Sequence, residues 1–205
     1  MSSHLANPSP LFRLITDIVY LLIGLGVAYA WFSEYRKRQR NPGPELFWPG
    51  TTRAPISGIL ITVSGILLLT VAETCAEIHY QVTASQTVSN LHILGATVAA
   101  AIVEEMVFRG FAAPSHLRGI KLLGLIVIGS IIFSAIHGFD FSTVQGRISL
   151  IATFFISVWL YLGRYNPLNP ERSILPCLIG HVVRNVAVFG VKWAQRCAQR
   201  CRLRS

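Results

Sequence analysis

Hydrophobic residues dominate six stretches of the chain, roughly Leu11 to Phe32, Ile56 to Ala72, Leu91 to Phe111, Leu122 to His137, Ile148 to Gly163 and Ile174 to Val191. Each approaches the roughly 20 residues that a helix needs to cross a bilayer core of about 30 Å, and several fall short of it. The pattern predicts an all-α fold, a polytopic transmembrane bundle of about six helices, with residues 1–205 as one integral membrane domain. Polar positions and turn formers gather between the stretches. Asn41-Pro42-Gly43-Pro44 through Trp48-Pro49-Gly50 to Pro55 reads as an interfacial loop, with Phe47 and Trp48 at headgroup level. Glu73 to Asn90, carrying Glu77, His79 and Gln81, reads as a polar connection on the opposite side. Trp31, Trp48, Trp159 and Trp193 lie near predicted span ends and are expected to anchor them at the interface.

Composition sharpens this picture: 52% of the residues are hydrophobic and 13% charged, a balance suited to lipid rather than to a soluble core. The formal charge of +9 comes mainly from Lys and Arg beside apolar runs and at the C-terminus. Membrane lipid is therefore the expected partner of that charge, and no motif accompanies it that would bind nucleic acid. Ala28-Tyr29-Ala30 resembles a signal-peptide cleavage site, but Arg36-Lys37-Arg38-Gln39-Arg40 follows it, as at the cytoplasmic end of a retained span. Alternating from that end puts Arg109, Arg118, Lys121, Arg164 and Arg172 on the cytoplasmic side. Lys192, Arg196, Arg200, Arg202 and Arg204 then land outside, unless the last stretch is re-entrant, its tail folds back or a span is miscounted. Cys75, Cys177, Cys197 and Cys201 form neither metal spacing nor a disulfide framework. Cys197 and Cys201, one helical turn apart among arginines, suit a basic helix at the membrane surface, with palmitoylation as the alternative.

Candidate chemistry begins at Glu104-Glu105-Met106-Val107-Phe108-Arg109, where each charge costs about 2.5–3.5 kcal/mol to insert at the centre of a membrane helix. Glu105 and Arg109 stand at i and i+4 with the acid first, the favourable order for an ion pair. Glu104 points about 100° away and is the freer carboxylate, better placed to act as a base. Phe133 and His137 share a face of the fourth stretch, and His181 and Asn185 share one of the last. Two glutamates, two histidines and an asparagine on three apolar helices can hold a water, polarise a carbonyl and stabilise an oxyanion. A helix-locking salt-bridge cluster and the charge relay of a small transporter use the same residue types. Asp140, beside His137, reads as a solvated loop acid or as a group that orients the imidazole.

In order and approximate spacing, Glu104-Glu105 with Arg109, Phe133 with His137, and His181 with Asn185 resemble the three motifs of the CPBP or Abi family. These are the CAAX prenyl-protein endopeptidases and bacteriocin-processing proteins. The resemblance covers roughly Leu91 to Val191, leaving 1–90 as variable first spans and connections and 192–205 as a basic tail. It implies intramembrane peptide hydrolysis of a membrane-associated peptide or protein, with Glu104 activating water, His137 holding the water or scissile carbonyl, and His181 and Asn185 supporting the oxyanion. Glu105, Arg109 and Phe133 would be supporting residues. The preferred reading of the site uses no cofactor; the alternative is zinc held by Glu104, His137 and His181 with an open fourth position. A non-enzymatic relative with an immunity or scaffold role is the competing reading of the resemblance. The short chain favours a bacterial inner (plasma) membrane.

Overall fold

The computed structural model describes residues 10–44, 47–82 and 91–202, whose regular structure is entirely helical. Helix α1 spans Pro10–Arg40 and α2 spans Ile56–His79. Helix α3, Leu91–Glu105, passes directly into a π-helical turn, Met106–Phe111; α4 (Gly119–Ile136), α5 (Val144–Tyr165) and α6 (Leu175–Arg202) follow. Five of the helices are long and apolar enough to cross a membrane, and together the six form a helical membrane bundle. The exception is α3. Its 15 residues rise only about 22 Å at 1.5 Å each, and the π turn completes the expected stretch.

Two boundaries differ from the hydropathy reading for the same reason. Glu73 and Glu77 belong to the last turns of α2 rather than to a polar connection, because α6 supplies their counter-charges. Arg184 lies 3.1 Å from Glu73, and Lys192 lies 3.9 Å from Glu77. Those pairs also carry α6 unbroken past Val191 to Arg202, so the last span is not re-entrant. His79 is the exposed final residue of α2. The Thr/Ser-rich stretch to Asn90 and the tail residue Arg204 lie outside the described residues.

Neighbouring helices pack in the order α1 on α3, α3 on α6, α6 on α2, α2 on α5 and α5 on α4. Helix α3 runs antiparallel to α6, whereas α2 and α6 run parallel. At one end of the bundle, termed the Arg36 end, the α1–α2 and α5–α6 loops are tied together. Ile174 N–H and the Ser173 hydroxyl both donate to the Gly50 carbonyl, and Thr52 donates to the Glu171 carbonyl. His137, Asp140 and Lys192 mark the other end.

Two of the expected interface tryptophans pack into the bundle instead, Trp31 as a core residue and Trp159 half-buried against the core. Trp31 is 3% exposed, packs with Met106, Ile174 and Leu178, and donates its indole N–H to the Pro49 carbonyl. Trp159 donates to the Thr62 carbonyl and lies over Gly65, where an added Cβ would stand 2.0 Å from the ring. An indole whose N–H is satisfied inside the bundle gains more from packing than from the interface.

Candidate active site

Three helices meet at Glu105. It and Arg109 are both fully buried, joined Oε1 to Nη1 at 3.1 Å as the i, i+4 spacing predicts. A buried pair survives desolvation only when its remaining groups are also satisfied, and helix α5 supplies most of what Arg109 needs. Nη2 of Arg109 donates to the Ser157 carbonyl at 3.0 Å and to its hydroxyl at 2.6 Å. The guanidinium also lies 4.5 Å from the Phe133 ring centroid and 4.7 Å from that of Tyr161, favourable cation–π distances. Phe133 therefore packs against the ion pair.

His181, 4% exposed, is reached from α6. Its Nδ1 lies 2.8 Å from Glu105 Oε1, and its Nε2 lies 3.7 Å from Glu104 Oε2. An ionised carboxylate only accepts, so Nδ1 carries the proton toward Glu105 and Nε2 is the ring atom turned to Glu104. Glu105 thus holds the imidazole at Nδ1 and leaves Nε2 facing Glu104. The two acids differ as the helix geometry predicts, for the Glu104 side chain keeps 29% of its exposure while Glu105 keeps none.

The remaining expected residues are not gathered on this centre. His137 is exposed; its Nδ1 donates to the Phe133 carbonyl at 2.6 Å, and its ring contacts both Phe133 and Phe139. It lines a polar cavity of about 550 Å³ at its own end of the bundle, together with Glu73, Asp140 and Arg184. The Phe133 ring, 4.7 Å from His137 and 6.0 Å from His181 between centroids, is what connects the two histidines. Asn185 donates its amide to the Thr97 carbonyl of α3 and accepts from Arg184, so its polar atoms are engaged away from Glu104. Asp140 does not orient His137: its carboxylate accepts from the N–H and hydroxyl of Ser142, which close the loop. That contact holds the Asp140 carboxyl below its ordinary value.

Among the described residues no group of three or more His, Cys, Asp or Glu side chains could hold a metal ion. Nδ1 of His181 faces Glu105 and Nδ1 of His137 faces a backbone carbonyl, which leaves Nε2 as the free nitrogen of each ring, and the cavity that His137 lines does not include Glu104 or His181.

The hydropathy reading missed a polar stripe on α5. Ser157, Tyr161 and Arg164 recur at helical spacing within an apolar stretch, which is the signal that could have identified them. Arg164, expected at the cytoplasmic surface, is 1% exposed and donates to the carbonyls of Gly110, Ala113 and Arg172. Tyr161 donates to the Phe108 carbonyl, and Tyr165 to that of Ala113. Together they satisfy carbonyls in and just beyond the π turn. Arg109, also expected at that surface, is the buried partner of Glu105.

With that geometry in view, a family model described as type II CAAX prenyl endopeptidase Rce1-like matches residues 86–187. The chain belongs to that family. The matched region holds Glu104, Glu105, Arg109, Phe133, His137, His181 and Asn185. No curated protein and no solved structure matches the chain. Family membership and five apolar helices make it an integral membrane protein of a protease family.

Proposed function

We propose that the protein is an intramembrane endopeptidase that hydrolyses a peptide bond in a membrane-associated protein or peptide, with Glu104 as the general base. The observation that carries this reading is the pairing of a partly exposed carboxylate with an imidazole whose opposite nitrogen is fixed by a buried acid. Glu104 removes a proton from water; the resulting hydroxide oxygen adds to the scissile carbonyl carbon. Collapse of the tetrahedral intermediate breaks the C–N bond, and Glu104 returns the proton to the departing amine. His181, with the unprotonated Nε2 turned to Glu104, accepts from the Glu104 hydroxyl once that group has taken the proton from water. Glu105 and Arg109 position His181. His137 and Asn185 are assigned no step, because one opens on the polar cavity and the other binds Thr97.

Glu104→Gln tests the assignment, since it keeps the shape and removes the base. The membrane proteome of cells carrying the variant is compared with wild type, and both proteins are purified for thermal unfolding. Uncut membrane proteins accumulating in the variant, with unchanged unfolding, are expected. An identical proteome with a well-folded variant removes Glu104 as the base and favours a non-enzymatic role for the fold.

A further inference from the structure

Far from the polar cavity, α1 leaves a groove against α3 and α6. Leu25, Ala28, Ile102, Met106, Leu178 and Val182 are among the residues of its wall, which is almost wholly apolar, and its volume is about 520 Å³. Tyr29 and Phe32 belong to this groove and also to a second cavity of about 430 Å³ that holds Arg36, Lys37 and Arg40. The two are therefore one continuous depression, apolar along its length and cationic at its mouth. Arg36, Lys37 and Arg40 are exposed, and the Arg36 guanidinium sits 5.0 Å over the Phe32 ring, at the junction of the two parts. Glu34, the nearest acid in sequence, faces elsewhere: its carboxylate accepts the N–H groups of Phe47 and Trp48 and the Thr51 hydroxyl.

The dimensions identify an occupant. From Leu25 to Arg36 the depression follows α1 for about 16 Å at 1.5 Å per residue, about half of the roughly 30 Å hydrocarbon core and hence the depth of one leaflet. We propose that this groove is a binding site for one anionic phospholipid of the leaflet at the Arg36 end. An acyl chain lies between α1 and α6, and the phosphate lies at Arg36, Lys37 and Arg40. Its chain then packs on Met106 and Val182, the residues adjoining Glu105 and His181. The proposal does not depend on the peptidase reading.

Native mass spectrometry of the full chain in detergent tests it, after equilibration with equal amounts of phosphatidylglycerol and phosphatidylcholine bearing the same acyl chains. Each cation near a headgroup strengthens anionic-lipid binding about fivefold. The first lipid retained should thus be phosphatidylglycerol, by at least about tenfold, with an upper limit on the order of 100-fold for three cations. Combined Arg36→Gln, Lys37→Gln and Arg40→Gln, all at exposed positions, should bring the two lipids close to parity. Ala28→Trp, which fills the groove and leaves the charges, should reduce retention of both. Equal retention of the two lipids by the wild type overturns the proposal, as does an undiminished preference in the triple variant. Displacement by millimolar inorganic phosphate would make the mouth a simple phosphate site, and a lipid-free dimer would give the groove to a second copy of the chain; either result overturns it as well.

Discussion

Arg109→Met should be among the most damaging single substitutions in the membrane core. It deletes a fully buried guanidinium that holds Glu105 at 3.1 Å and binds two oxygens of Ser157. The carboxylate left behind is badly placed to tolerate the loss, because its Oε2 is already buried without a hydrogen bond and only His181 Nδ1 still donates to Oε1. Removing one partner of a buried pair costs about 3–5 kcal/mol. At about 2–4 °C per kcal/mol for a chain of this size, the melting temperature should fall by roughly 6–20 °C. The energy is not a property of Arg109 alone, so adding Glu105→Gln, which removes the stranded charge, should recover at least about 2 kcal/mol of it. Reversible unfolding in mixed micelles, run as a double-mutant cycle, reads both numbers. If Arg109→Met costs less than about 1 kcal/mol, or if the two substitutions add without coupling, the pair is not the strut inferred from its burial.

Other measurements bear on the surrounding framework. Arg164→Met leaves three carbonyls without their cationic donor and should cost at least about 3 kcal/mol in the same unfolding assay. Gly65→Ala puts a methyl group against the Trp159 ring and should destabilise by about 1–3 kcal/mol, with a change in Trp159 fluorescence as the α2–α5 contact opens. The Asp140 carboxyl is held below its ordinary value by Ser142. The loop stabilisation it provides is therefore complete above the unfolded-state value near 3.8 and is lost as pH falls through the lowered one. Protection of the Ser142 amide, its exchange measured against the intrinsic rate at each pH, should accordingly hold at neutral pH and fall only in strong acid, whereas Asp140→Asn should weaken the dependence.

Hydropathy located the bundle because long apolar runs have few alternatives to membrane helices. It cut α2 and α6 short because the polar ends of both are helical only in each other's company, and a partner helix leaves no mark on a local window. The Glu105–Arg109 pair was legible because i, i+4 spacing is a property of one helix. His181 reaching Glu105, and Asn185 reaching Thr97, depend on how α6 lies against α3, which no single helix encodes. The same holds for Trp31 and Trp159, whose hydrogen-bond partners are backbone carbonyls far away in sequence. Ser157 and Arg164 were readable in principle, yet an arginine near a span end is ordinarily assigned to the headgroups.

The π turn at Met106–Phe111 also bears on how this chain can change in length. Ala112 N–H reaches back five residues to the Val107 carbonyl, so the turn holds a residue more than an α-helix would need there. A one-residue deletion within it can be absorbed as ordinary α-helix, with the chain on either side left in place. Where the missing residue lies between Glu105 and Arg109, the pair stands at i and i+3, a spacing that still shares one helix face. The turn therefore acts as a phase adjuster: it lets the acids face α6 while the next residues face α5. A deletion at 106–111 should therefore be tolerated better than one between Thr97 and Ala101, where no residue is spare and Glu104 and Glu105 would turn by about 100° relative to the Thr97 carbonyl that binds Asn185.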